Sequence, residues 1–147
     1  MILIRILLLF LSTISILGCS QLKNELKPLE PEFITEPTAK DSDDPAIWIN
    51  KEDISKSLII GTDKDKEGAL YVFDLQGKIL HKTDTLHRPN NVDVAYGMII
   101  NDSIKVDIAV TTERLTGKIR IFTLPEMKSV DNGGVPVFEG EKDNSPM

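Results

Sequence analysis

The sequence is poor in the residues that carry many kinds of chemistry. It has one cysteine, Cys19, so no disulfide can form within the chain, and no cysteine nucleophile remains for a folded part beyond it. His81 and His87 are its two histidines, and neither has a second histidine at ligand spacing. The nucleophile-elbow, P-loop and glycine-rich dinucleotide motifs do not occur. These absences argue against a zinc site and against the functions that those motifs carry.

Positive charge is also scarce. Seventeen Lys and Arg residues against 23 Asp and Glu residues give a net charge of −6. Nucleic-acid binding needs a basic stripe, so the charge balance argues against that class of partner. An anionic ligand is compatible with such a chain only when bound cations intervene.

Residues 1–18 are predicted to be a lipoprotein signal peptide. Arg5 is the only charge before Lys23, and the apolar run between them ends in Ile16-Leu17-Gly18-Cys19. A basic start, an apolar run and small residues at its end are typical of an export signal. The last four residues resemble a lipobox, in which the cysteine is lipidated and becomes the mature N-terminus. The alternative is a short transmembrane anchor, but no basic stop-transfer cluster follows closely.

The sequence therefore predicts an exported bacterial lipoprotein, held at the outer membrane or another periplasm-facing membrane by a lipid on Cys19. Residues 19–40 are predicted to be a tether, because they carry three prolines among Lys and Glu and lack apolar periodicity. Residues 41–147 are predicted to be the folded part, long enough for a small domain.

Beyond residue 45 the apolar residues alternate with a period of two, which predicts strands. Turn signals such as Gln76-Gly77 separate them. Short strands at this spacing are typical of an all-β antiparallel fold. The predicted strands are Ala46–Ile49, Leu58–Thr62, Ala69–Asp74, Ile79–Lys82, Val92–Tyr96, Val106–Thr111, Lys118–Thr123 and Val135–Phe138.

The chain also repeats itself. Residues 59–64 match residues 109–114 in type, and residues 68–75 match residues 117–124. The two units open at Asp44 and Asn91. A period of about 40–50 residues with four strands per unit is typical of β-propeller blades. Chance similarity between two ordinary β-meanders is the alternative.

An acidic residue followed by a basic residue ends the same strand in both units, as Asp63-Lys64 and Glu113-Arg114. Equivalent positions of neighbouring blades lie on one rim, so Lys64 and Arg114 are predicted to face a shared site. Two such cations suit a phosphate-bearing ligand. The alternative is that each cation forms a salt bridge with the acid beside it at a solvated surface.

The densest group of carboxylates is Asp41-Ser42-Asp43-Asp44-Pro45. A hard cation relieves the repulsion among such groups, and calcium takes six to eight oxygen ligands in irregular loops. The alternative is an exposed turn, since Asp-Pro commonly forms turns. A second polar loop, Asn90-Asn91-Val92-Asp93, leads into a later strand, where asparagine side chains often only close a turn.

Five segments of the chain carry a family resemblance: Asp43–Trp48, Thr62–Lys64, Leu70–Lys78, Arg88–Asp93, and Val106–Ala109 followed by Arg114 and Gly117. In this order they resemble the start of the β-propeller phytase family. The Arg-His-Gly motif of the histidine acid phosphatases, which also degrade phytate, is absent.

The resemblance implies a six-bladed propeller with calcium at one rim and in structural sites. By position, it implies that Asp43 is a ligand of the catalytic calcium cluster. It implies equally that Asp44, with the backbone oxygens of Pro45 and Val92, belongs to a structural calcium site. Calcium also reconciles the acidic chain with an anionic substrate.

By the same resemblance, Lys64 and Arg114 align with the phosphate-binding cations of the family. The implied reaction is calcium-dependent hydrolysis of the phosphate monoesters of phytate, myo-inositol hexakisphosphate, with release of inorganic phosphate. Calcium would neutralise phosphate oxygens and activate the attacking water, and the two cations would stabilise the phosphoryl charge. The Asp65-Lys66-Glu67 loop is one residue longer than the family pattern, so Lys66 competes with Lys64 for this role.

The sequence covers about two blades, and further calcium-binding and phosphate-binding residues of the family belong to later blades. We therefore expect this stretch to be inactive alone and the complete protein, a monomer, to act on phytate or calcium-phytate. One alternative is a non-catalytic calcium-binding β-propeller surface lipoprotein, and another is a structural fragment without activity. Asp43, Lys64 and Arg114 favour the enzyme.

Overall fold

The computed structural model describes residues 27–100 and 103–137. The predicted signal peptide and the predicted lipidation at Cys19 lie outside the described residues. The chain divides into a first unit, Met1–Pro31, and a second unit, Glu32–Met147, which carries the strands. Within the described ranges, no helix combines the length and the apolar character that crossing a membrane requires.

In the described ranges, eight strands form two four-stranded antiparallel sheets, and within each sheet every strand pairs with the next one along the chain. The predicted all-β architecture and its two repeated units are confirmed, and the two meanders are consistent with blades of a β-propeller. The first sheet contains β1 (Ser42–Trp48), β2 (Leu58–Asp63), β3 (Ala69–Phe73) and β4 (Ile79–Lys82), with a 3₁₀ turn at Ile54–Lys56. The second sheet contains β5 (Pro89–Ile100), β6 (Ile104–Glu113), β7 (Lys118–Leu124) and β8 (Val135–Pro136).

The first strand of each sheet is bulged near its start. Between two flanking residue pairs, β1 and β5 each advance by three residues while the paired strand advances by two. The two bulges occupy equivalent places in the sequence repeat. A bulge leaves one residue out of the ladder and re-aims the side chains beside it. It therefore changes the direction of Asp43 and Asp44 in β1 and of Asn90 and Asn91 in β5. The flanking pairs are Ser42↔Asp63 and Pro45↔Gly61 in the first sheet, and Pro89↔Glu113 and Val92↔Thr111 in the second.

One hydrophobic core lies between the two sheets. Side chains alternate along a strand, so Trp48 and Ile60 of the first sheet point towards Phe122 of the second. Across the same interface, Trp48 Nε1 donates a hydrogen bond of 2.9 Å to Asp107 Oδ2. A smaller cluster on the opposite face of the first sheet consists of Ala69, Tyr71 and Phe73, with Ile59 and Ile79 packed against it.

The segment before β1 contacts β4 and the turn that precedes it. Glu36 N donates to Gly77 O at 2.8 Å, and Glu36 Oε2 accepts from Ile79 N at 2.6 Å. Gly77 has φ of +83°, and a Cβ there would lie 2.7 Å from Thr35 Cα, so this approach needs glycine. Part of the stretch for which the sequence predicts a tether therefore lies against the first sheet.

Candidate functional site

The starts of β1 and β5 and the ends of β2 and β6 lie at one edge of the two sheets, which we call the site edge. A hydrogen bond of 3.0 Å from Val92 N to Asp44 Oδ2 joins the two strand starts there. The site edge carries all the predicted metal-binding and phosphate-binding residues: Asp43, Asp44, Pro45, Lys64, Val92 and Arg114.

Asp43 and Lys64 are in direct contact. Lys64 Nζ lies 2.7 Å from Asp43 Oδ1, and the two side chains are 25% and 32% exposed. The predicted alternative, in which Lys64 pairs with the adjacent Asp63, is wrong, because the carboxylate of Asp63 instead accepts a hydrogen bond from Asp41 N. An ion pair this accessible to water contributes only about 0–1 kcal/mol. An anionic ligand can therefore displace Asp43 from Lys64 at little cost.

Asp44 links the two sheets. In addition to the bond from Val92 N, its own backbone N donates to Thr62 Oγ1 at 2.9 Å. Its second carboxylate oxygen, Oδ1, has no hydrogen-bond partner among the described residues. Asp44 and Val92 are thus brought together, as the structural calcium site would require, and one oxygen is available for a cation.

Two buried threonine hydroxyls support the bulged backbone and were not identified from the sequence. Thr62 Oγ1 lies 3.3 Å from Asp44 O and 3.4 Å from Asn90 O, so its hydroxyl lies between the two sheets. Thr111 Oγ1 donates to Asn91 O at 2.6 Å. A bulge leaves carbonyl groups without ladder partners, and a buried carbonyl needs a donor. The available signal was a threonine near the end of the same strand in both units.

Arg114 is exposed, and within the described part of the chain it has no ion pair within 4.0 Å. Its predicted alternative partner, Glu113, instead pairs with Arg120, Nη1 to Oε2 at 3.7 Å. The prediction of a simple neighbouring salt bridge is therefore wrong in the second unit as well. The backbone N of Arg114 donates to Arg88 O at 3.1 Å.

Arg88 is a third basic residue at the site edge, and sequence reasoning assigned it no role. It has φ of +61°, a region that residues other than glycine rarely occupy. Its Nε is buried without a hydrogen-bond partner among the described residues. Buried donors without an acceptor are rare in folded proteins. The signal in the sequence was an arginine directly before the proline that opens β5.

The loop after Lys64 is bound to the segment that precedes β1. Lys40 Nζ bonds to Asp65 Oδ1 at 2.6 Å; this bond raises the pKa of Lys40 and lowers that of Asp65. Lys66 is exposed and has no ion pair in the described ranges. Of the two lysines that compete for the phosphate role, the structure thus places Lys64, and not Lys66, against Asp43.

The donors at the site edge match calcium in type but form only part of a coordination shell. The carboxylates of Asp43 and Asp44 and the carbonyls of Pro45 and Val92 are hard oxygen ligands, the kind that calcium takes. The described residues contain no group of three or more His, Cys, Asp or Glu side chains arranged to hold a metal. The repulsion in the acidic loop is relieved here by Lys64 and by the N–H of Val92.

A buried ion-pair network in the second sheet is centred on Arg120. Arg120 Nε is 2.8 Å from Asp131 Oδ2, and the Asp131 side chain is wholly buried. Burial alone would raise the pKa of Asp131, but hydrogen bonds from Arg120, Ser129 and the N–H of Ile121 outweigh it. Together they lower the pKa of Asp131 from 3.8 to about 2.

Stability in acid is expected to depend on Asp131. Its folded-state pKa lies below the unfolded value, so its contribution is complete above about pH 4 and is lost as pH falls towards about 2. A shift of nearly two units corresponds to about 2 kcal/mol. Urea unfolding of the protein and of Asp131→Asn between pH 5 and pH 2 measures this. The stability difference between the two should shrink with falling pH, and a constant difference would contradict the assignment.

Two comparisons with known proteins identify the family of the chain. A sequence model of the family described as Phytase matches residues 2–137. The curated 3-phytase of Bacillus subtilis (strain 168) is 35% identical to the chain over 102 residues. That match covers 65% of this chain and 26% of the relative, so the chain spans about a quarter of the relative's length. Because the family model matches well over half of the sequence, the chain belongs to the phytase family.

Proposed function

We propose that this chain is part of an enzyme that hydrolyses the phosphate monoesters of phytate and releases inorganic phosphate. The observation that carries the proposal is the placement of Lys64 and Arg114 at equivalent strand ends of one edge, beside Asp43. Phosphoryl transfer depends chiefly on positioning and on charge stabilisation, and an edge that presents cations beside carboxylates suits both. The relative's printed name, 3-phytase, supports the same substrate.

Each cation has a distinct part in this proposal. Arg114 is exposed and has no acidic partner in the described stretch, so its guanidinium is free to bind two phosphate oxygens at once. Lys64 is held at the edge by Asp43 until a phosphate oxygen replaces that carboxylate. Both cations then stabilise the negative charge on the phosphoryl group during its transfer to water.

We propose Asp43 as a ligand of a catalytic calcium cluster, and Asp44 with the carbonyls of Pro45 and Val92 as ligands of a structural calcium. Calcium, when bound, supplies positive charge to phosphate oxygens and lowers the pKa of a bound water. The chain prepares the structural site by the bond from Val92 N to Asp44 Oδ2, which holds two of the donor residues together. The remaining ligands of both sites would come from other parts of the complete protein.

The proposal is tested by phosphate release from phytate with the complete protein, which we expect to act as a monomer on phytate or calcium-phytate. Release of phosphate supports the enzyme. Calcium binding without release would favour the alternative of a non-catalytic calcium-binding β-propeller lipoprotein.

We propose further that the protein is exported and anchored through a lipid on Cys19. The support is the signal-like run that ends in Leu17-Gly18-Cys19. Cys19→Ser is expected to move the protein from the membrane fraction to the soluble fraction in a bacterial host, because the lipid acceptor is lost. Cys19→Ser that stays in the membrane fraction would refute the anchor.

A further inference from the structure

Asp63 and Glu113 are the last residues of β2 and β6, and both are charged yet buried, with 2% and 3% of their surface exposed. Each is followed directly by a cation of the site edge. Burial of a carboxylate is costly unless hydrogen bonds or charges compensate it. The hydrogen bonds that these two carboxylates accept therefore indicate the structural role of the two residues.

In the first sheet, Asp63 and Lys64 hold the backbone of one residue between them. Asp63 Oδ1 accepts a hydrogen bond of 2.6 Å from Asp41 N, and Lys64 N donates a hydrogen bond of 2.7 Å to Asp41 O. Both polar backbone groups of Asp41 are thus bound to two consecutive residues. This arrangement ties the end of β2 to the segment that enters β1.

The second sheet repeats the arrangement. Glu113 Oε1 accepts a hydrogen bond of 2.7 Å from His87 N, and Arg114 N donates to Arg88 O at 3.1 Å. Arg88 and Asp41 occupy equivalent places in the two units, because their spacing in the sequence equals that of Asn91 and Asp44, at which the units open. The longer side chain of glutamate reaches one residue further back, to His87 instead of Arg88.

We infer that Asp63 and Glu113 are positioning residues for the cations that follow them. Each buried carboxylate holds the entering segment in place, and that segment in turn holds the backbone N–H of Lys64 or Arg114. Hydrogen bonds to an ionised acceptor are about twice as strong as neutral ones, so each carboxylate holds the entering segment firmly. The inference rests on the proposed function in one respect, namely that the two cations bind phosphate.

The test compares an acceptor-removing and an acceptor-keeping variant of each acid in the complete protein. Asp63→Ala removes the acceptor of Asp41 N, whereas Asp63→Asn retains an amide oxygen at the same place. We expect Asp63→Ala to lower kcat/KM for phytate about tenfold, mainly through KM, because small misplacements of binding groups are costly. Asp63→Asn should stay within about threefold of the unmodified protein, since the neutral bond is weaker but present.

The double variant Asp63→Ala/Lys64→Ala separates positioning from a general loss of structure. If Asp63 acts through Lys64, removal of Asp63 has no further effect on KM once Lys64 is absent. An equal loss of kcat/KM in both backgrounds would overturn the inference for Asp63. The same cycle with Glu113→Ala, Glu113→Gln and Arg114→Ala tests the second sheet independently. It also keeps the inference testable if one of the alanine variants fails to fold.

Hydrogen exchange of the Lys64 and Arg114 amides gives a readout that does not depend on activity. Each amide should exchange faster in the alanine variant of its preceding acid, because the carbonyl that it binds is released. Unchanged exchange would overturn the positioning role. If Lys64→Ala and Arg114→Ala leave kcat/KM unchanged, the proposed function fails, and faster exchange would still support the backbone arrangement.

Discussion

Replacement of Arg114 by alanine in the complete protein is expected to lower kcat/KM for phytate by about 10²–10³-fold, the usual effect of removing one preorganised donor to a developing negative charge. Arg114 is exposed at the site edge and has no acidic partner among the described residues, so its charge is not already neutralised. Its backbone is held by Arg88 O, which directs the side chain before a ligand arrives. Initial rates of phosphate release over a range of phytate concentrations measure the effect.

Two further variants show whether the loss comes from the guanidinium or from charge alone. Arg114→Lys keeps the charge but not the planar fork, so an intermediate rate is expected. Lys105→Ala removes a positive charge from an exposed residue near the opposite end of the same strand, β6, and should leave the rate nearly unchanged. If Arg114→Ala and Lys105→Ala lower the rate equally, Arg114 contributes only its positive charge and does not bind the phosphate directly.

Removal of calcium is expected to abolish phosphate release, and Asp43→Asn should lower kcat by about a hundredfold or more, because the proposed calcium ligand loses its charge. The contact between Asp43 and Lys64 makes this variant informative. If Asp43 served only to hold Lys64, neutralising it would free the lysine for phosphate and lower KM. A loss of kcat with little change in KM therefore indicates the metal role.

The matched control is Glu52→Gln, which removes one negative charge beyond the far end of β1, away from the site edge. It should retain full calcium-dependent activity. Phosphate release that persists in a chelator, or in Asp43→Asn at an unchanged rate, would rule out the calcium mechanism. Restoration by added calcium after chelation distinguishes metal removal from irreversible unfolding.

Alternation of apolar residues was enough to predict the strands and their repeat, because one face of each sheet is buried in a common core. It missed the starts of β1 and β5. Both starts contain a bulge, where the period of two is interrupted by Asp43-Asp44 or Asn90-Asn91. A pattern-based reading therefore begins each strand after its bulge, although pairing begins before it.

The site edge was predictable in its residues but not in its contacts. The repeat identified Lys64 and Arg114, and the resemblance identified Asp43, yet the pairing of Lys64 with Asp43 joins residues that are distant in sequence. The opposite directions of Asp63 and Lys64 also depend on where the strand ends and which face is buried. Such information comes from packing, which no local pattern contains.

The paired bulges also bear on the ancestry of the molecule. An extra residue at the same place in both sheets is what duplication of one unit that already contained it would leave behind. The two units differ in charge at that place, with two carboxylates in Asp43-Asp44 and two neutral amides in Asn90-Asn91. Two sheets with the same backbone irregularity therefore present different charges at one edge, negative in the first sheet and neutral in the second.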